Sequence, residues 1–250
     1  MRALSASEQL RVWDRSRQQT SARRCLLLLA AASPERSPDE LAQLSVGQRD
    51  ACLLTLREWM FGSRIESVIA CPECAERLEL TFEVADIRAR GKEEKATPGA
   101  TYLLRIDGYE VRFRPPNSAD LEEIVKLETA AAARERLLAR CALEIKCRTA
   151  KSVRRADRLP PKVADALVKR MAEVDPQANV QLNLTCPSCR HVWTAAFDIA
   201  SFLWSEIDNW ARRILREVHV IASAYGWREA DILEMSAERR SYYLELIGGA

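Results

Sequence analysis

The stretch Cys71-Pro72-Glu73-Cys74 recurs 115 residues later as Cys186-Pro187-Ser188-Cys189. A Cys-x-x-Cys turn places two thiolate sulfurs on one metal ion, and the proline stiffens the turn because its fixed φ suits the bend. Two such turns supply four thiolates, a complete tetrahedral ligand set that leaves no position open for water. The sequence therefore predicts one structural zinc ion that joins two distant parts of the chain. Its ligands are Cys71, Cys74, Cys186 and Cys189.

The segments beside both turns alternate apolar and polar residues, most clearly at 78–84 and 180–184, which is typical of half-buried strands. Phe82-Glu83-Val84 aligns with Phe197-Asp198-Ile199 at the same offset, so the chain contains a weak repeat of strand, turn and returning strand. The alternatives are a redox dithiol or two independent turns. A thioredoxin-like dithiol needs a strand followed by a helix, and these turns lie between strands. His191 is an alternative ligand, although a plain strand residue is the simpler interpretation.

The rest of the sequence is mainly helical in pattern. Ser37 and Ser45 are predicted helix caps, and Gly62 is a predicted helix stop. Alternation on either side of Asp107-Gly108 predicts a β-hairpin, with strands Tyr102–Ile106 and Tyr109–Phe113. Polar loops are predicted at 90–99 and 148–160. Residues 5–60 are predicted to be helical, with one helix at about 21–32, one that begins at Pro38, and one from Ser45 to about Met60. A helical region is predicted at about 119–147, and helices at 161–174 and at about 200–225, 228–235 and 237–247.

These patterns predict an α+β fold that is mainly helical, with a small antiparallel zinc-ribbon-like sheet built from the two Cys-Pro-x-Cys knuckles. We divide the chain into four parts of one integrated domain. They are an N-terminal helical region (1–62), the first knuckle and hairpin (63–117), a helical insertion with a basic loop (118–178), and the second knuckle with the C-terminal helices (179–250).

Composition excludes few functions. The chain has 250 residues, of which 48% are apolar and 30% charged, and a net charge of +2. Residues 134–170 are nevertheless strongly basic, which fits either a solvated helix face followed by a loop or a patch for an acidic partner. Cysteines outside the two turns lie in apolar, helix-like stretches, as in a reducing compartment. The apolar run at 25–32 is too short to span a bilayer, so we expect no membrane span.

The sequence contains no motif that indicates a catalysed reaction. It has two histidines, no glycine-rich phosphate loop and no Gly-x-Ser-x-Gly elbow, so we predict that the protein is not an enzyme. Aromatic residues concentrate around the second knuckle and the long helix that follows it. They fit a core where the helix meets the knuckle strands, or anchors for a partner protein. Trp204 and Trp227 are the candidates for exposed, partner-binding residues.

The C-terminal third resembles the baseplate hub or hub-assembly chaperone family of contractile-tailed phages. It resembles still more closely the version found with bacterial phage-tail-like contractile injection systems. The segments that carry the resemblance are Phe197–Trp204, Val218–Trp227, Glu229–Leu233 and Ser236–Leu246, with Leu41–Gly62, Cys71–Cys74 and Pro115–Leu121 looking like the injection-system version. The resemblance implies a non-enzymatic component or assembly factor of a baseplate, with other baseplate, spike or tube proteins as partners.

Two functions from different classes remain open at this point. The leading hypothesis is the baseplate role, which places the protein in the cytoplasm or within the assembled injection particle. The alternative is a nucleic-acid-binding zinc ribbon that uses the basic segment 148–158. That segment lacks the interleaved aromatic residues typical of single-strand binders, so nucleic acid is the less favoured partner.

Overall fold

A computed structural model describes residues 1–89, 97–147 and 159–248. Within these ranges the chain is mainly helical with small antiparallel sheets, which confirms the α+β class. The helices are α1 (Ala6–Ser16), α2 (Ser21–Ala32), α3 (Pro38–Ala42), α4 (Val46–Phe61), α5 (Val84–Ile87), α6 (Ser118–Ile124), α7 (Ala130–Cys141), α8 (Pro161–Val174), α9 (Ile199–Tyr225), α10 (Glu229–Leu233) and α11 (Ala237–Gly248). The strands are β1 (Arg64–Ala70), β2 (Arg77–Glu83), β3 (Tyr102–Ile106), β4 (Tyr109–Phe113), β5 (Ala142–Cys147), β6 (Gln181–Thr185) and β7 (Val192–Ala196).

The long helix α9 is the centre of the larger core. Its start is set by Asp198, whose carboxylate accepts hydrogen bonds from the N–H groups of Ala200 and Ser201, and it ends at Gly226 with φ +70°. Helices α1, α2, α4, α10 and α11 pack around it. The apolar spacing of the sequence predicts a buried stripe that includes Trp210 and Tyr225, but Trp210 is half-buried, Tyr225 is exposed, and Ala211 is buried beside Trp210. The buried members are Ile199, Ala200, Leu203, Ile207, Ala211, Ile214, Val218 and Ile221.

Two polar contacts fix the N-terminal helices against α9. Arg57 of α4 forms a two-pronged ion pair with Glu206, with nitrogen–oxygen distances of 3.0 and 2.7 Å. The indole N–H of Trp13 donates to Asp208 over 2.8 Å. Because the Arg57 side chain is buried, the fork geometry satisfies a charge that would otherwise be costly there. The first and last parts of the chain therefore form one core.

Predicted caps on the N-terminal helices are confirmed. The hydroxyls of Ser37 and Ser45 accept hydrogen bonds from the third residues of α3 and α4, and both helices carry complete capping boxes. Gly62, with φ +89°, ends α4 as expected. Of the helices in the described ranges, none combines the length and the apolar character that a bilayer span requires.

The middle of the chain builds a second, smaller core. Strands β3, β4 and β5 form an antiparallel sheet, and Val111, Phe113 and Ile145 of this sheet pack against α7 and α8. The predicted helix at 119–147 is wrong in its last part. Residues Ala142–Cys147 form strand β5, because alternate residues there reach the sheet core while the others point to solvent. The alternation at these residues is short, and the neighbouring sequence is rich in alanine and arginine, which favour a helix, so the strand was not predicted.

A buried carboxylate joins the two cores. Asp175, just after α8, accepts hydrogen bonds from the Ser45 hydroxyl at 2.8 Å and from the Gly47 N–H at 2.9 Å, at the start of α4. Burial raises the pKa of Asp175, and these hydrogen bonds oppose the shift. Gln177 adds a second link by binding the backbone of Ile87 and Ala89.

Both knuckle hairpins are present, but they do not share one sheet. Strands β1 and β2 pair only with each other, and so do β6 and β7, so the single sheet predicted from the two knuckles is wrong. Val84, predicted as the end of a strand, begins helix α5 instead. The basic segment 148–158 and most of the polar loop predicted at 90–99 lie outside the described residues. The four-part division of the chain stays a prediction.

We predict that Gly47→Ala destabilises the protein by about 1–3 kcal/mol, although alanine normally favours a helix by up to about 1 kcal/mol. A Cβ at this position would clash with the Asp175 carboxylate and approach the Ala178 nitrogen to 2.8 Å. Urea unfolding measures the difference. Gly248→Ala is the control, because nothing lies within 4 Å of its Cβ position. An unchanged or raised midpoint for Gly47→Ala would show that Asp175 does not hold α4.

Candidate metal centre

The four predicted ligand sulfurs form one cluster. The Sγ atoms of Cys71, Cys74, Cys186 and Cys189 all lie within 4.8 Å of one another. The closest pairs join the two knuckles, with 3.7 Å between Cys71 and Cys189 and 3.6 Å between Cys74 and Cys186. These distances exceed the roughly 2.05 Å of a disulfide bond. They match the edge of about 3.8 Å expected for four sulfurs at about 2.3 Å from a tetrahedral zinc ion.

Both knuckles have the same backbone geometry. In the first, the N–H of Cys71 donates to the Glu76 carbonyl and the N–H of Ala75 donates to the Cys71 carbonyl. The second repeats both bonds 115 residues later, from Cys186 to His191 and from Arg190 to Cys186. The residue after each second cysteine has a φ of 61°. The internal repeat is therefore confirmed at the level of individual hydrogen bonds.

Contacts between the knuckles are reciprocal. The first cysteine of each knuckle lies nearest the second cysteine of the other, which is the pattern of a two-fold arrangement. The equivalent residues Phe82 and Phe197 meet edge to face, with their ring centroids 5.5 Å apart. The next residues of the repeat, Glu83 and Asp198, cap the helices α5 and α9. The cysteine cluster thus lies where the two copies of the internal repeat meet.

One side of the cluster is apolar and the other faces water. Cys71 and Cys186 are buried with Leu78, while Cys74 and Cys189 are exposed. Trp193 covers the buried side together with Ile69 and Leu80. The ring of His191 stacks against Trp193 at 5.9 Å, and the set of close ligand atoms contains the four cysteines without His191.

The thiols influence one another electrostatically. Backbone N–H groups of Cys189 and Ser188 donate to the Cys186 sulfur and lower its pKa to about 7. The Glu76 N–H also lowers the pKa of Cys74, but hydrogen bonding to the neighbouring sulfurs and burial outweigh this and raise it to about 12. A bound cation would favour the thiolate form of the four cysteines.

Neither tryptophan chosen as an exposed anchor is fully exposed. Trp204 is half-buried against the larger core, and the guanidinium of Arg24 lies 4.3 Å above its ring. Trp227 is also half-buried and stacks on Tyr225 with centroids 4.7 Å apart. Their role in partner binding stays a prediction. In the described ranges Trp59 is the tryptophan with the largest exposed fraction, at 47%, and its place on an apolar helix gave no sign of this in the sequence.

The fold is α+β, and it brings four cysteines close enough together to hold one metal ion. A family model described as "T4 bacteriophage base plate protein" matches residues 25–204. The chain therefore belongs to this baseplate protein family, and membership supports a structural or assembly role in a baseplate. No curated protein and no solved structure matches the chain.

The family match covers both knuckles and only the beginning of α9. Of the segments that carried the resemblance, Leu41–Gly62, Cys71–Cys74, Pro115–Leu121 and Phe197–Trp204 lie inside it. The other three lie beyond Trp204. The baseplate relationship is thus confirmed, and it rests on a different part of the chain from the one that the sequence resemblance emphasised.

We predict that Ala75→Gly stabilises the protein by about 0.5–1 kcal/mol. A non-glycine residue at positive φ costs about 1–2 kcal/mol, and the extra freedom of glycine in the unfolded chain offsets part of the gain. Thermal unfolding measures the change. Ala139→Gly, on an exposed face of α7, is the matched control and is expected to destabilise by about 1 kcal/mol. Equal destabilisation by both variants would contradict the backbone geometry of the knuckle.

Proposed function

We propose that this protein is a non-enzymatic component or assembly factor of the baseplate of a phage-tail-like contractile injection system. The observation that carries the proposal is the baseplate family match over residues 25–204. The C-terminal resemblance to hub and hub-assembly proteins supports the finer assignment. Other baseplate, spike or tube proteins are its expected partners, and the assembled particle or the cytoplasmic assembly pool is its expected location.

The metal in this proposal is one structural zinc ion bound by the four-cysteine cluster. The sulfur spacing fits tetrahedral zinc, and four thiolates leave no site for a reacting water. Zinc would supply folding free energy, since comparable sites in zinc-finger peptides contribute about 10–16 kcal/mol. A closed site and a structural family both favour a role in assembly over a role in catalysis.

We expect Cys71→Ser and Cys186→Ser to lose the bound zinc and to lower the thermal midpoint by about 10 °C or more. The reason is that a three-thiolate site binds zinc weakly, and a loss of about 3 kcal/mol shifts a chain of this size by roughly that amount. Metal analysis by plasma mass spectrometry and calorimetry measure both quantities. Cys52→Ser, a half-buried cysteine of α4, is the matched control. Retained zinc and an unchanged midpoint in both ligand variants would exclude the zinc role.

A tagged copy expressed in the native host tests the baseplate role. We expect mass spectrometry to recover it with spike, tube and baseplate proteins. Recovery from sedimented particles would make it a component of the finished structure, and recovery from the soluble pool alone would make it an assembly factor. Recovery with polymerase or nucleic acid instead would contradict the proposal and favour the nucleic-acid alternative.

A further inference from the structure

A pair of apolar clefts lies away from the cysteine cluster, on either side of helix α6. The first has a volume of about 510 Å³ and is bounded by α6 and by the N-terminal ends of α2, α4 and α9. The second, of about 310 Å³, lies between α6, α7 and α8. Both are lined by Ile124, Ala178 and Asn179, so they adjoin one another. We call the two together the double cleft.

The rim of the double cleft exposes apolar side chains. Val125, which lines the first cleft, is 75% exposed, the largest value among the large apolar residues of the described ranges. The walls below are also apolar and include Val46, Leu121 and Phe197. Apolar surface of this kind, concentrated at a concave site, is typical of a place where another molecule binds.

A buried carboxylate lines the first cleft. Asp50 is only 7% exposed, and its Oδ1 accepts a hydrogen bond from the Arg49 Nε at 2.8 Å and lies 2.7 Å from the Arg49 Nη2. Burial raises the pKa of Asp50 to about 6 even though Arg49 opposes the shift. The first cleft is therefore lined by a buried Arg49–Asp50 ion pair.

The other charges around the first cleft are also mainly negative. Glu122 and Asp198 line it, and Arg49 is the basic residue among the lining side chains. The Asp198 carboxylate accepts hydrogen bonds from N–H groups at the start of α9. One carboxylate oxygen of Glu122 accepts a hydrogen bond from the Thr20 hydroxyl. A ligand that brings a positively charged donor would balance this excess of carboxylates.

We propose that the double cleft binds a segment of a partner protein that carries two apolar anchor side chains and a Lys or Arg. One anchor fills each cleft, with Ile124 between them, and the basic group pairs with the carboxylates that line the first cleft. Two adjoining clefts that open to solvent suit a protein segment better than one compact small molecule. The inference rests on the proposed baseplate function, because it names the surface through which a baseplate partner would bind.

The test uses the full-length chain in its native host with a photocrosslinking amino acid in place of Val125. We expect the crosslinked peptide, identified by mass spectrometry, to come from a baseplate, spike or tube protein and to contain apolar residues near a Lys or Arg. The crosslinked stretch is then made as a synthetic 15-residue peptide and titrated against the purified protein. Replacement of its basic residue by Ala should weaken binding about tenfold.

Three variants distinguish binding at the double cleft from a general effect of a substitution on the protein. Val125→Asp and Asp50→Asn should each weaken binding of the peptide about tenfold, and Asp50→Asn should lose its effect when the peptide already lacks its basic residue. Val192→Asp is the matched control, because this valine is 68% exposed on β7 and does not line either cleft. Circular dichroism and zinc content verify that each variant is folded.

The outcomes distinguish this inference from the proposed function. If the wild-type chain recovers baseplate proteins but Val125 gives no partner crosslink, or Val125→Asp binds as well as the control, the cleft inference is wrong and the function stands. A crosslink to a second copy of this chain would also overturn it. If the segment found is apolar and basic but belongs to no baseplate protein, the cleft inference holds and the baseplate proposal fails.

Discussion

The four-cysteine cluster is the constraint on which the rest of the structure depends. It brings together two cysteine pairs that are separated along the chain by 111 residues, and the hairpin that carries each pair leads directly into a helix that enters the larger core. Neither hairpin has a third strand among the described residues, and an isolated two-stranded hairpin is marginal in water. The shared sulfur site and the contact between Phe82 and Phe197 therefore supply the stability that pairing alone does not.

The cluster also explains how the middle of the chain is accommodated. Closing a long loop costs little more than closing a short one, about 0.6 kcal/mol for each doubling of length. A sheet with its own two helices fits between the knuckles for this reason, and it keeps a separate core. Its attachment to the larger core includes polar contacts such as the one that Asp175 makes with the start of α4. The double cleft lies along this junction, where two cores meet without filling all the space between them.

Much of the site was predictable because its signals are local. The ligand spacing and the strand alternation can be read from short stretches around the cysteines, and these stretches recur at an offset of 115 residues. In the same way, the capping serines indicate where their helices begin. Strand pairing that depends on the tertiary structure was harder to predict from the sequence. Strand β5 takes its conformation from β4, and no nearby residue marks it. The exposure of Trp204 and Trp227 was also misjudged, because Arg24 and Tyr243, which lie against their rings, are distant from them in the sequence. Asp50 gave no signal at all, since its burial depends on helices distant in the chain.

The most direct test of the central claim is X-ray absorption spectroscopy of the purified full-length protein at the zinc edge. A zinc ion held by the four cysteines predicts a single shell of four sulfur atoms at about 2.3 Å. A shell that contains nitrogen at about 2.0–2.1 Å would mean that His191 replaces a cysteine. The absence of stoichiometric zinc in protein purified without chelators would contradict the account, because the two hairpins would then have to be held together without a metal.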